Sequence, residues 1–136
     1  MDIAERLWAS VAAAHAAVGA PMEAFDAAAS QHWHYVELPG GGILGFMPDS
    51  TRDGDFLVVS LPSPMSFRAS NHTLLEMAKY MERTGRVLYT MAHKNHLLAL
   101  NINQHIGGEL LGVDEDGYYH FKHTLQGLRR GKRVVG

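Results

Sequence analysis

Residues Arg86–His123, RVLYTMAHKNHLLALNINQHIGGELLGVDEDGYYHFKH, decide how the chain is read. Val87 to Met91 is a β-rich run and reads as a strand. Asn95 to Ile106 reads as a helix that offers Leu97, Leu98, Leu100 and Ile102 for burial and closes at Gly107-Gly108. Leu110 to Val113 reads as a strand. Asp114 to Gly117 is a hairpin turn in which Gly117 is free to take positive φ, and Tyr118 to Thr124 is the partner strand.

Upstream the signals alternate between the helical period and the strand period. Asp2 caps a helix over residues 2–18, with Ile3, Leu7, Val11 and Val18 on one stripe and Trp8 beside it. Gly19 ends it, and Pro21 suits the first position of a second helix running to Ser30. Gln31 to Leu38 alternates, with Trp33, Tyr35 and Glu37 on one side. Pro39–Gly42 is a turn, Ile43 to Met47 a second strand, Pro48–Gly54 a second turn and Asp55 to Leu61 a third strand. Pro62 to Ser70 reads as a loop. Ser70 or Asn71 then caps a helix to Thr84, with Leu74, Leu75, Met77, Ala78 and Met81 on its buried face and Gly85 as its stop.

The bulk numbers bound the class. A chain of 136 residues is one domain by length, and 46% apolar with 19% charged residues excludes a disordered composition. A formal net charge of −2 argues against a nucleic-acid footprint covering the surface. The absence of cysteine removes disulfides and thiolate chemistry. No run is apolar enough to span a membrane, and the acidic start, Asp2 and Glu5, is unlike a secretory signal. Residues 1–125 read as one domain. Residues 126–136 read as a basic tail carrying Arg129, Arg130, Lys132 and Arg133.

The order αα-βββ-α-β-α-ββ is similar to that of the GNAT N-acetyltransferase superfamily without its usual first strand, over residues 1–124. In that family the fifth strand leads into a helix with an N-terminal Asn and an apolar-Gly-Gly end, which resembles Asn95 and Ile106-Gly107-Gly108 here. Asp114–Gly117 followed by Tyr118-Tyr119-His120-Phe121 resembles the family's last hairpin. The resemblance implies an α/β (α+β) fold with a mixed, mostly antiparallel sheet of about six strands and helices on both faces. It also implies a V-shaped opening near Ser60 and Tyr89 that takes the pantetheine arm of acetyl-CoA.

Two motif positions differ from the family's pattern. The place of its glycine-rich phosphate loop is Leu61 to Asn71, which has no glycine and contains Pro62 and Pro64, each without an N–H. The coenzyme-binding candidates are then Ser60, Leu61, Arg68, Ser70, Asn71, His72 and Asn95. The position of the family's common catalytic Tyr holds Asn103, and an amide is no general acid. The candidates for chemistry are Glu37, where many members place a carboxylate base, and Tyr118.

Short GNAT-like proteins encoded by tailed bacteriophages resemble this chain in their unusual phosphate loop and helix-Gly-Gly ending, and some are virion or head-assembly components. The resemblance therefore implies a virion-associated or assembly protein, in the cytoplasm of the producing cell or in a virion, with other proteins or further copies of itself as partners. An acetyl-CoA-dependent N-acyltransferase is the alternative.

Each candidate also has a plainer reading. Glu37 lies on an alternating strand and suits a solvent face. Tyr118 suits hairpin packing. Residues 68–72 suit a helix cap, worth about 1 kcal/mol. The pairs His32/His34 and His93/His96 have metal-ligand spacing, but nine histidines produce close pairs by chance, so no metal is expected. The basic tail suits either a solvated end or a contact with nucleic acid or an acidic partner.

Overall fold

A computed structural model describes residues 2–22, 30–60 and 67–129, and only the backbone course for 67–70. Helix α1 is Ile3–Ala17, and the Asp2 carboxylate caps it by accepting from the Glu5 N–H at 2.8 Å. Strands β1 (His34–Glu37), β2 (Ile43–Met47) and β3 (Gly54–Ser60) form an antiparallel meander. Helix α2 (Phe67–Thr84), strand β4 (Val87–His93) and helix α3 (Leu97–His105) follow. Strands β5 (Glu109–Val113) and β6 (Tyr118–His123) close as an antiparallel hairpin, with Gly117 at φ +87° in its turn. The fold is the expected α+β arrangement: one six-stranded sheet, ordered β1-β2-β3-β4-β6-β5, antiparallel except between β3 and β4.

Alternation along the strands divides the core in two. Leu44, Phe46, Leu57 and Leu88 face Met77, Tyr80 and Met81 of α2, together with Ile106. Ile43 and Val58 face the other way, toward Leu7 and Val11 of α1, with Trp33 and Tyr35 beside them. Gly45 lets α1 sit close, since a Cβ there would stand 2.7 Å from Leu7 Cδ2.

Several boundaries and faces differ from expectation. Helix α2 starts at Phe67, ahead of Ser70, so Asn71 and His72 lie past its first turn. Helix α3 starts at Leu97, with Asn95 in the preceding turn. Its Leu97 and Leu98 are 68% and 50% exposed because the sheet takes Ile102, Asn103 and Ile106 instead, and Leu75 of α2 is 49% exposed because Leu74, Met77, Ala78 and Met81 make that helix's inward face. The chain also stays in the core beyond residue 125. Residues 125–129 are helical and Leu128 is buried, so the packed domain runs past the point where the tail was expected to begin. The second helix expected over 21–30 falls largely on residues outside those described.

Candidate functional site

Strands β3 and β4 are paired only through Gly54–Phe56 and Val87–Tyr89. Beyond that rung they part, and the ladder does not continue between 57–60 and 90–93. At the joined end Asp55 is buried and accepts from the Tyr80 hydroxyl, from the Arg86 Nε–H at 2.8 Å and from the Asp49 N–H at 3.0 Å. Arg86 also donates to the carbonyls of Asp49, Arg52 and Gly54. Burial alone would raise the Asp55 carboxyl, but Tyr80, the Asp49 N–H and Arg86 outweigh it and hold the group below the usual carboxylate range. Tyr89 stands at the last rung, where its hydroxyl donates to Asp53. It therefore stands at the point where the seam begins to open.

At the parted end, distant residues fall in one row. Glu37 pairs with Ile43 and Ile43 with Ser60 on one side of the seam, and His93 pairs with Tyr118 on the other. Helix α1 lies along this row. Arg6 pairs with Glu37, Ser10 Oγ is 2.5 Å from Ser60 Oγ, and the His15 ring is 5.9 Å from that of Tyr118. Five residues of helix separate Ser10 from His15, a rise of about 7.5 Å. Ser60 and Tyr118 stand on β3 and β6, two strand steps or about 9.6 Å apart, so this stretch of α1 spans the width of β4.

Every polar group in the row already has a partner. Tyr118 is buried and its hydroxyl donates to the Pro21 carbonyl; burial, then Asp114 and Asp116, pushes its pKa up. The His93 Nε2–H donates to the Asp116 carbonyl at 2.8 Å, and its Nδ1 accepts from the Asn95 N–H at 3.1 Å. Nε2 is thus the donor of the ring and Nδ1 its acceptor. The His15 Nδ1–H donates to the Val11 carbonyl at 2.7 Å. The Asn95 amide reaches the Val18 carbonyl at 3.1 Å and ties the start of α3 to the end of α1. His96 is held below its ordinary pKa by burial and then by His15.

The expected residues thus separate into groups. Glu37, Ser60 and Tyr118 share the row, but Glu37 and Tyr118 stand four strand steps apart, about 19 Å. No single substrate atom lies within reach of both. Arg68, Ser70, Asn71 and His72 belong to α2, and Leu61 lies outside the described residues. The free N–H groups at a helix start are the first four, here those of 67–70, so the N–H groups of Asn71 and His72 are bonded within the helix.

Asn103 is buried, and the structure gives it a role that sequence reading missed. Its Oδ1 accepts from the Thr90 hydroxyl at 2.6 Å and from His123 Nε2–H at 2.9 Å, and its Nδ2 donates to the Ala99 carbonyl. Among the described residues, no three His, Asp or Glu side chains converge as metal ligands. None of the described helices is long and apolar enough to cross a membrane. Arg6, Ser10 and His15 were also missed; Arg6 and Ser10 share a face of α1 at i, i+4, but His15 does not, so no single stripe announced them.

Compared with known proteins, the chain matches no protein-family model and no curated protein.

Proposed function

We propose that this chain acts by binding another protein, as a GNAT-like interaction component, with virion assembly as the setting that the resemblance implies. One observation carries this reading. Strand β5 is an outer strand whose five residues are all exposed, with Leu110, Leu111 and Val113 at 50–53%. An exposed apolar edge strand presents free backbone donors and acceptors to an incoming strand, and proteins usually blunt such edges. β5 carries one charge, Glu109, and an irregularity between Leu110 and Gly112. A shallow depression lined by Leu111, Gly112, Val113, Asp114 and His120 adjoins it. The engagement of Glu37 with Arg6 and of Tyr118 with Pro21 favours binding over proton transfer.

The seam between β3 and β4 favours a second reading, acetyl-CoA-dependent acyl transfer to an amine, because a parallel pair that parts is the opening the resemblance implies. Calorimetric titration with acetyl-CoA separates the two. The binding reading expects no heat and no shift in Tm at millimolar ligand. Micromolar binding, with release of the coenzyme thiol when an amine is supplied, would replace it with the acyl-transfer reading. A photo-crosslinking side chain in place of Leu111, but not of Arg83, is expected to capture the partner.

A further inference from the structure

His123 is 1% exposed at the end of β6. Its Nε2 lies 2.9 Å from Thr90 Oγ1 on β4 and 2.9 Å from Asn103 Oδ1 on α3. The Thr90 hydroxyl donates to Asn103 Oδ1, so that oxygen takes a proton from each neighbour. The arrangement assigns the ring proton to Nε2. Nδ1 is buried without a partner and faces Gly108, where an added Cβ would stand 3.3 Å from it. An unfilled acceptor is tolerable there. A protonated ring would put an N–H donor into the same dry space, with nothing to accept it.

The attachment of α3 makes this more than a local cost. The helix has nine residues, too few to persist in water alone. Leu97 and Leu98 face solvent, and Ile102 and Asn103 hold the helix to the sheet, with Ile106 just beyond its end. The Asn103–His123–Thr90 network is its polar anchor. Around the ring, β4 contributes Thr90 and the cross-strand neighbour Leu88, α3 contributes Asn103, and Phe121 lies 6.5 Å away on the same strand. Among the described residues, no charged side chain is bonded to His123, and burial is the one cause acting on its proton affinity. The titratable groups carried with α3 are His96, beside His15 of α1, and the exposed His105 in its last turn.

We propose that His123 is an acid-operated latch: neutral, it clamps α3 to β4 and β6, and on protonation α3 and the Gly107-Gly108 turn leave the sheet while α2 and the β1–β3 meander stay folded. This goes beyond the partner-binding reading and does not depend on it. The surface uncovered in acid is apolar, from Ile102, Ile106 and the sheet beneath.

Amide hydrogen exchange on the intact chain tests it, corrected for the intrinsic pH dependence of exchange. With neutral His123 required only in the closed form, the opening constant of α3 rises about tenfold per pH unit below pH 6.5. Protection at 100–105 is therefore expected to fall about tenfold between pH 6 and pH 5, while α2 and β2–β3 hold theirs. His123→Gln places an amide N–H near the Nε2 position without a titrating proton, and its α3 protection is expected to be flat over that range. His96→Gln is expected to behave like wild type. Equal loss in wild type and His123→Gln, or no loss in either, would overturn the latch. If His123→Gln fails to fold, an NMR titration of His123 in the wild type decides: a midpoint near 6.5 rejects the proposal, and a midpoint well below it that coincides with loss of α3 signals upholds it.

Discussion

Arg86 shows how one side chain fixes where two strands meet. It neutralises Asp55 and fills three carbonyls around the β2–β3 turn, so the seam is tight at that end. Removing one partner of a buried ion pair leaves the other charge uncompensated. Arg86→Met is therefore expected to lower unfolding free energy by about 3 kcal/mol or more in urea titration. Tyr80→Phe removes one of three donors to Asp55 and is expected to cost about 1–2 kcal/mol. Little of this was legible in the sequence. Asp55 reads as the first residue of a strand and Arg86 as the residue after a helix stop. Nothing local announces that the two meet, because the ion pair joins positions 31 residues apart.

At the scale of elements, the local signals served well where they came from backbone chemistry. The Asp2 cap, the stops at Gly19 and Gly85, the meander turns and the Gly117 hairpin all act within a few residues, and the structure has them. Burial was harder to read. Leu97 and Leu98 look like core by composition, yet α3 turns Asn103 inward instead, because a buried Thr-His pair on the sheet needs an acceptor. The candidate site shared this limit. Glu37, Ser60 and Tyr118 could be named singly, but their common row appears only when five strands are set side by side. The packing of α1 yields a sharp expectation: Gly45→Ala puts a methyl group against Leu7, with the Trp33 ring 3.1 Å away. Thermal and denaturant unfolding should show a loss of about 1–3 kcal/mol. Leu110→Lys, on exposed β5, should stay within about 0.5 kcal/mol of wild type.

For the whole molecule, two buried groups set how acid weakens the fold. The folded pKa of His123 is pushed down to about 4 by burial. Its neutral form is the stable one, so its contribution is complete above the ordinary 6.5 and is lost as pH falls toward the folded value. Over that window the loss is about 3 kcal/mol. Asp55 is also lowered, so its contribution is complete above the ordinary carboxylate value and is lost only as pH falls through a lower one. Stability measured by urea titration is expected to decline in two stages, the first absent in His123→Gln and the second reduced in Tyr80→Phe.

The short β3–β4 ladder has a consequence for how the chain assembles. Residues 34–60 make one three-stranded half of the sheet, closed by short turns, and residues 87–123 make the other, in which β4 reaches β6 across α3 and β5. The β1–β2, β2–β3 and β5–β6 pairings are local, and local pairing carries a small loop-closure entropy. The steps long in sequence are the pairing of β4 with β6 and the meeting of Gly54–Phe56 with Val87–Tyr89, the latter secured by the Asp55–Arg86 contact. The Asp55–Arg86 contact is therefore the place where the two halves of the sheet are joined into one.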